Sequence, residues 1–183
     1  PNEILAVTFT NKAAREMRER LAQLTGQVNS RNFMPWMGTF HGICVRILRT
    51  DGAQIGVPQN FIIYDEDDRQ GLIKQAMKRL SIGTDKIKPR AVSSAISNAK
   101  NELLTPDDYA AGAHYPFQQS VAKIYDLYER LRSEAGALDF DDLLIETVRL
   151  LRDVPEVRAN YRQRFKHILI DEYQDTNAAQ YAI

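Results

Sequence analysis

Three short apolar runs constrain this chain most: Ile4 to Phe9, Met34 to Thr39 and His167 to Ile170. Their apolar residues are consecutive and do not alternate with polar ones, the pattern of strands buried on both faces in a parallel sheet covered by helices. Each of the first two leads into a helical period. After Thr10 and Asn11, residues Ala14, Met17, Leu21 and Leu24 fall in phase, with Gly26 as a stop. From Phe40, the side chains of Phe40, Ile43, Cys44, Ile47 and Leu48 share one face, with Arg46 and Arg49 off it. Strand followed by helix, repeated, predicts an α/β fold.

Between the second and third runs the grammar changes. From Asp65 to about Leu151 the periodicity is almost only helical, punctuated by Gly83, Pro89, Pro106, Gly112, Pro116 and Gly136. Helices are predicted over roughly 66–80, 89–103, 117–133 and 140–152, and a further one from Pro155 to Phe165. The simplest account is an α/β core, residues 1–53 and 139–183, interrupted by an all-helical insertion over 54–138.

Composition narrows the function classes. With 44% apolar and 26% charged residues in 183, the chain reads as soluble and globular. No apolar stretch approaches the roughly 20 residues of a membrane-spanning helix, so no membrane partner is expected. Lys plus Arg and Asp plus Glu number 24 each, so any site for a polyanion has to be a local patch. A lone Cys44 in the apolar phase of a helix predicts a small core residue and a reducing, cytoplasmic setting. The start at Pro1, with neither Met nor a basic leader, reads as a fragment without a signal peptide.

The third run stops at two adjacent carboxylates, Asp171 and Glu172, followed by Gln174 and Asp175. Two readings are open. Both acids cap a following helix, with Asp175 and Thr176 doing the same. Alternatively they stand at the carboxyl edge of a parallel sheet, where α/β proteins bind ligands; Asp171 then holds Mg²⁺ on a bound phosphate and Glu172 deprotonates an attacking water. The two other strand ends face the same edge if the sheet is parallel. Thr8-Phe9-Thr10-Asn11-Lys12 gathers hydroxyls, an amide, a cation and a helix N-terminus beside an aromatic ring, which suits a phosphodiester with a base stacked on Phe9. The bland account is a helix cap with Phe9 in the core. Gly38-Thr39-Phe40-His41-Gly42 repeats the theme, and His41 taken alone is as well a structural histidine.

Lys86, Lys88, Arg90 and Lys100 form a basic cluster in the insertion, read either as a solvated face or as a nucleic-acid contact. Asp65 to Asp68, and Asp139, Asp141 and Asp142, lack metal-site spacing and are predicted to cap helices. None of the nine glycines opens a Gly-x-x-x-x-Gly-Lys-Ser/Thr phosphate loop.

Taken together these segments resemble the first motor domain of UvrD/PcrA/Rep-type superfamily 1 DNA helicases, from end to end of the chain. Ala6 to Ala14 with Glu16-Met17 is similar to motif Ia, Gly38 to His41 to motif Ib, and Ile170 to Asp175 to motif II, the Walker B motif; Leu138 to Leu144 also resembles a family signature. Tyr173 stands where many relatives have Phe. The resemblance implies a RecA-like parallel sheet of the P-loop NTPase type (subdomain 1A) with an inserted helical subdomain (1B). It implies ATP and Mg²⁺ as cofactors, with Asp171 on the metal, Glu172 activating the hydrolytic water and Gln174 coupling γ-phosphate state to the DNA track. Thr8, Phe9, Asn11 and Lys12, with Thr39, Phe40 and His41, would line a single-strand channel. The implied activity is ATP-dependent 3′ to 5′ translocation and unwinding at single-strand/duplex junctions, in DNA repair or replication. A phosphate loop is expected upstream of Pro1, and motif III and a second motor domain downstream of Ile183, so this segment alone is expected to be inactive.

Rival readings are a helicase subunit of a RecB/AddA-type recombination nuclease and a non-catalytic DNA-binding module. A glycosidase-type carboxylate pair fits poorly, because that chemistry needs acids separated across a cleft.

Overall fold

A computed structural model describes residues 2–29 and 33–183. These divide into two compact units. One comprises the chain to Gln59, Glu146–Thr176 and Ile183; the other comprises Asn60–Ile145 and Asn177–Ala182. The sequence expectation put the corresponding changes at 53/54 and 138/139.

The first unit is built on a three-stranded sheet of β1 (Ile4–Thr8), β2 (Met37–Thr39) and β5 (His167–Ile170), in the order β2-β1-β5. Both pairings are parallel, as the consecutive apolar runs predict. Thr8 lies opposite Thr39 in one ladder and Val7 opposite Ile170 in the other. Helix α1 (Asn11–Thr25) follows β1, starting at Thr10, whose hydroxyl accepts from the Ala13 amide at 3.1 Å. It ends at Gly26, whose φ of +66° is a conformation glycine takes without strain. Its Met17 and Leu21 pack on Ala6, Met34 and Met37. Leu24, in phase by spacing, is 78% exposed in the last turn. Helix α2 (Phe40–Asp51) buries Phe40, Ile43, Cys44, Ile47 and Leu48, the face its spacing predicts.

Two strand expectations are corrected. The second strand starts at Met37 and not at Met34, because Met34 is left-handed (φ +50°) and Pro35 has no amide to give a ladder. The third run pairs as expected but is not buried: among the described residues β5 is the outermost strand of the sheet, and Ile168 and Leu169 are 59% and 58% exposed.

The second unit is helical apart from one short ladder. Helices α3 (Glu66–Arg79), α4 (Pro89–Asn101) and α6 (Pro116–Glu134) converge on a core that includes Ile73, Met77, Val92, Ile96, Ile124 and Tyr128. Asp65 starts α3 with a reciprocal capping box to Asp68, as the acidic run suggests. Helix α5 (Pro106–Ala111) was not expected; six residues are too few to show an apolar stripe, and the Thr105–Asp108 capping box fixes it. The unit is also not purely helical. Strands β3 (Ile62–Ile63) and β4 (Ala137–Leu138) pair in parallel, and runs of two residues carry no readable alternation. Helix α7 (Phe140–Asp153) crosses the 145/146 division, and α8 (Pro155–Arg164) returns the chain to β5. A last helix, α9 (Ala178–Tyr181), closes the described chain. No helix among the described residues is long and apolar enough to cross a membrane.

Candidate functional site

Parallel pairing brings the carboxyl ends of β2, β1 and β5 side by side, so Thr39, Thr8 and Asp171 stand in a row along one sheet edge. The Asp171 amide continues the ladder by donating to the Val7 carbonyl at 2.9 Å. Its side chain is tied to β1 as well: the Thr8 hydroxyl donates to Asp171 Oδ2 at 3.1 Å. Thr8 is buried, at 2% exposure, while Asp171 is exposed.

At Glu172 the strand direction ends. Its φ of +50° and ψ of +45° are left-handed, a conformation that costs a non-glycine residue about 1 kcal/mol or more and gathers at functional sites. A 3-10 turn over Tyr173–Asp175 follows, closed by the Asp175 amide on the Glu172 carbonyl at 2.9 Å. Gln174 Nε2 donates to Glu172 Oε2 at 2.5 Å. This geometry decides between the two readings of the pair on one point: neither acid caps a helix. Glu172 makes no side-chain capping bond to the turn, and α9 is capped instead by Asn177 with Gln180.

The other two strand ends are more mixed. Phe9 is half-buried with its ring 5.5 Å from that of Phe40, which is itself buried. Asn11 and Lys12 are exposed in the first turn of α1, and Lys12 Nζ lies 3.9 Å from Glu16, an exposed pair that restrains it little. Thr39 is the cap of α2, its hydroxyl accepting from the Gly42 amide at 3.1 Å. His41 is half-buried in the first turn. Phe9, Asn11, Lys12 and His41 therefore present surface at this edge, whereas Thr8 and Phe40 face inward.

The donor set fits a magnesium ion held jointly with phosphate. Among the described residues no cluster of three or more His, Cys, Asp or Glu makes a protein-only metal cage. Magnesium ordinarily takes one or two carboxylates, with water and substrate phosphates completing its shell. Asp171 is such a carboxylate, with Oδ2 held by Thr8 and the rest of the group exposed.

A second cluster, in the helical unit, escaped sequence reasoning. Lys100 does not belong to a surface basic patch with Lys86, Lys88 and Arg90. It is 1% exposed, with Nζ 2.7 Å from Glu129, 2.8 Å from Asp139 and 2.6 Å from Asp142. Arg132 pairs with Asp142 at 2.9 Å and with Glu129 at 2.6 Å, and the Tyr128 hydroxyl donates to Asp139 at 2.6 Å. Asp139 and Asp142 also cap α7 reciprocally, each accepting the other's amide at 2.8 Å. Burial opposes the charge on Asp139, but Lys100 and the hydrogen bonds from Lys100, Tyr128 and the Asp142 amide hold it below the usual carboxylate range. Capping was legible in the spacing of these aspartates; the buried lysine was not.

The chain is similar to known proteins along its whole length. The UvrD/REP helicase N-terminal domain matches residues 1–183. Proteins named ATP-dependent DNA helicase PcrA from Staphylococcus aureus and Leuconostoc citreum are 48% and 46% identical over 183 residues, all of this chain and 25% and 24% of theirs. The Staphylococcus epidermidis protein of the same name is 46% identical over the same span. The chain thus spans about a quarter of the length of these relatives.

Proposed function

From the premise that this chain belongs to the UvrD/REP helicase N-terminal domain family, we propose that it is part of the motor of an ATP-dependent DNA helicase. On this reading the sheet-bearing unit is the RecA-like subdomain 1A and the helical unit is subdomain 1B. The parent protein moves 3′ to 5′ along single-stranded DNA in the cytoplasm and opens single-strand/duplex junctions during repair or replication.

The observation that supports this reading is the row of strand ends. An acidic pair released from helix capping stands one strand away from an aromatic pair and the N-terminus of α1. Asp171 would hold the Mg²⁺ that accompanies ATP. That ion, when present, neutralises charge on the phosphates. Glu172 takes a proton from the attacking water, and its turn away from β geometry frees it from the alternation that would send it to the opposite face from Asp171. Gln174, bonded to Glu172, lies on the turn that links the acid to the chain beyond it and is suited to relay phosphate state. Phe9, Asn11, Lys12 and His41 offer the DNA track a stacking face, polar groups and a cation, with Thr39 and Phe40 supporting the loop from behind.

The test is Glu172→Gln in the full-length protein. DNA-stimulated ATP hydrolysis should fall on the order of 10² to 10⁴ while nucleotide affinity stays within a few-fold. Hydrolysis at wild-type rate would remove Glu172 from the reaction. An equal loss of nucleotide binding would make it a structural residue.

A further inference from the structure

We propose that Thr8 is a positioning residue for Asp171, acting on the metal-holding carboxylate and not on DNA. This rests on the reading of Asp171 given above and adds to it a residue from a different strand. Thr8 closes β1, the central strand, and its side chain is buried where a nucleic acid cannot touch it. Its hydroxyl donates to Oδ2 of an otherwise exposed carboxylate. A carboxylate at the end of an exposed strand, in water, would sample several rotamers. A donor on a β-branched residue is stiff at χ1, and one locked in a buried strand cannot follow those excursions. The hydroxyl therefore selects one orientation of Asp171 and leaves Oδ1 as the oxygen directed to the cation. The backbone bond from Asp171 to Val7 fixes the same residue at its other end, so main chain and side chain are registered to one strand.

The proposal is tested in the full-length protein with Thr8→Val, which keeps the shape and removes the donor, and Thr8→Ser, which keeps the donor. The readout is binding of a non-hydrolysable fluorescent ATP analogue as Mg²⁺ is titrated, beside binding of a labelled oligo-dT. Thr8→Val should raise the Mg²⁺ needed for half-maximal nucleotide binding about three- to tenfold, the net effect of losing one ordinary hydrogen bond, since water reaches the exposed carboxylate once the donor is gone. Thr8→Ser should stay within twofold of wild type, and oligo-dT affinity should be unchanged in both. Should the valine variant not fold, Thr8→Ala carries the same comparison. An unshifted Mg²⁺ dependence, or a loss of oligo-dT affinity without such a shift, overturns the proposal. Asp171→Asn separates the two levels. If it shifts the Mg²⁺ dependence and Thr8→Val does not, only the role of Thr8 fails; if Asp171→Asn also leaves it unmoved, the reading of the site fails with it.

Discussion

Replacing Lys100 by Met tests how the helical unit is held together. The ammonium is 1% exposed and sits 2.6–2.8 Å from three carboxylates, so its removal leaves Glu129, Asp139 and Asp142 with Arg132 as their one cationic neighbour in the cluster. Breaking a buried ion pair on one side costs about 3–5 kcal/mol. All three carboxylates lose this cation, and Asp139 keeps no ion pair with Arg132 as Glu129 and Asp142 do, which puts the expectation near the upper end, about 5 kcal/mol. The loss should also depend on pH. In the wild type Asp139 is held below its unfolded value, so its contribution is present above roughly pH 4 and fades as pH falls through the folded value. Without the lysine, burial is less opposed and drives the carboxylate upward. Burial, with Asp139 and Glu129 beside it, already pushes Asp142 above the usual carboxylate range in the wild type, so it is the added rise of Asp139 on losing the lysine that makes the variant's deficit largest near pH 8 and smaller toward pH 5. Hydrogen exchange read by mass spectrometry on the full-length protein suits the question, because unfolding of a multidomain protein is not one transition. Amides of α4 and α6 should exchange on the order of 10³-fold faster or more, those of α1 and α2 at their former rate. A loss below about 1 kcal/mol, or one that does not change between pH 8 and pH 5, would refute the reasoning.

Two further outcomes are expected. Phe9→Ala in the full-length protein should weaken oligo-dT binding by roughly 1–3 kcal/mol, the value of one base–aromatic stack; unchanged affinity would mean that the ring's contact with Phe40 is its whole role. Burial, only partly offset by a hydrogen bond with Thr147, pushes the Cys44 thiol up to about 12, so the reactive thiolate is scarce at pH 8. Alkylation mapped by mass spectrometry should be slow in buffer and rapid only in denaturant, and complete native labelling within minutes would place the thiol at the surface.

What was legible in the sequence was whatever a local pattern encodes. Consecutive apolar residues located the three strands and their parallel sense, and the 3.6 period located the buried face of α2 to the residue. The strand ends that make up the candidate site followed from those, because a parallel sheet brings like ends to one edge. Patterns too short for a period escaped: the six-residue α5 and the two-residue β3 and β4. So did the start of the second strand, which one left-handed methionine and one proline delayed.

The contacts that stayed hidden share a different cause. Lys100 meets its partners 29, 39 and 42 residues away, and Thr8 meets Asp171 across 163. A lysine or threonine in sequence has no fixed address: the same lysine serves on a solvated face or inside an ion cluster, the same hydroxyl caps a helix, touches phosphate or holds a carboxylate. Thr8, Thr10 and Thr39 show this within one sheet edge. Thr10 and Thr39 each stand directly before a helix and cap it through local bonds to amides three residues on, while Thr8, which closes β1 two residues short of α1, donates across the sheet instead. The difference is one of position relative to the helix start: α2 begins directly after Thr39, whereas two residues separate Thr8 from the start of α1 at Asn11. It explains why a hydroxyl-rich motif was readable as a candidate site before its members could be told apart, and why the bond from Thr8 to Asp171 was not legible in the sequence.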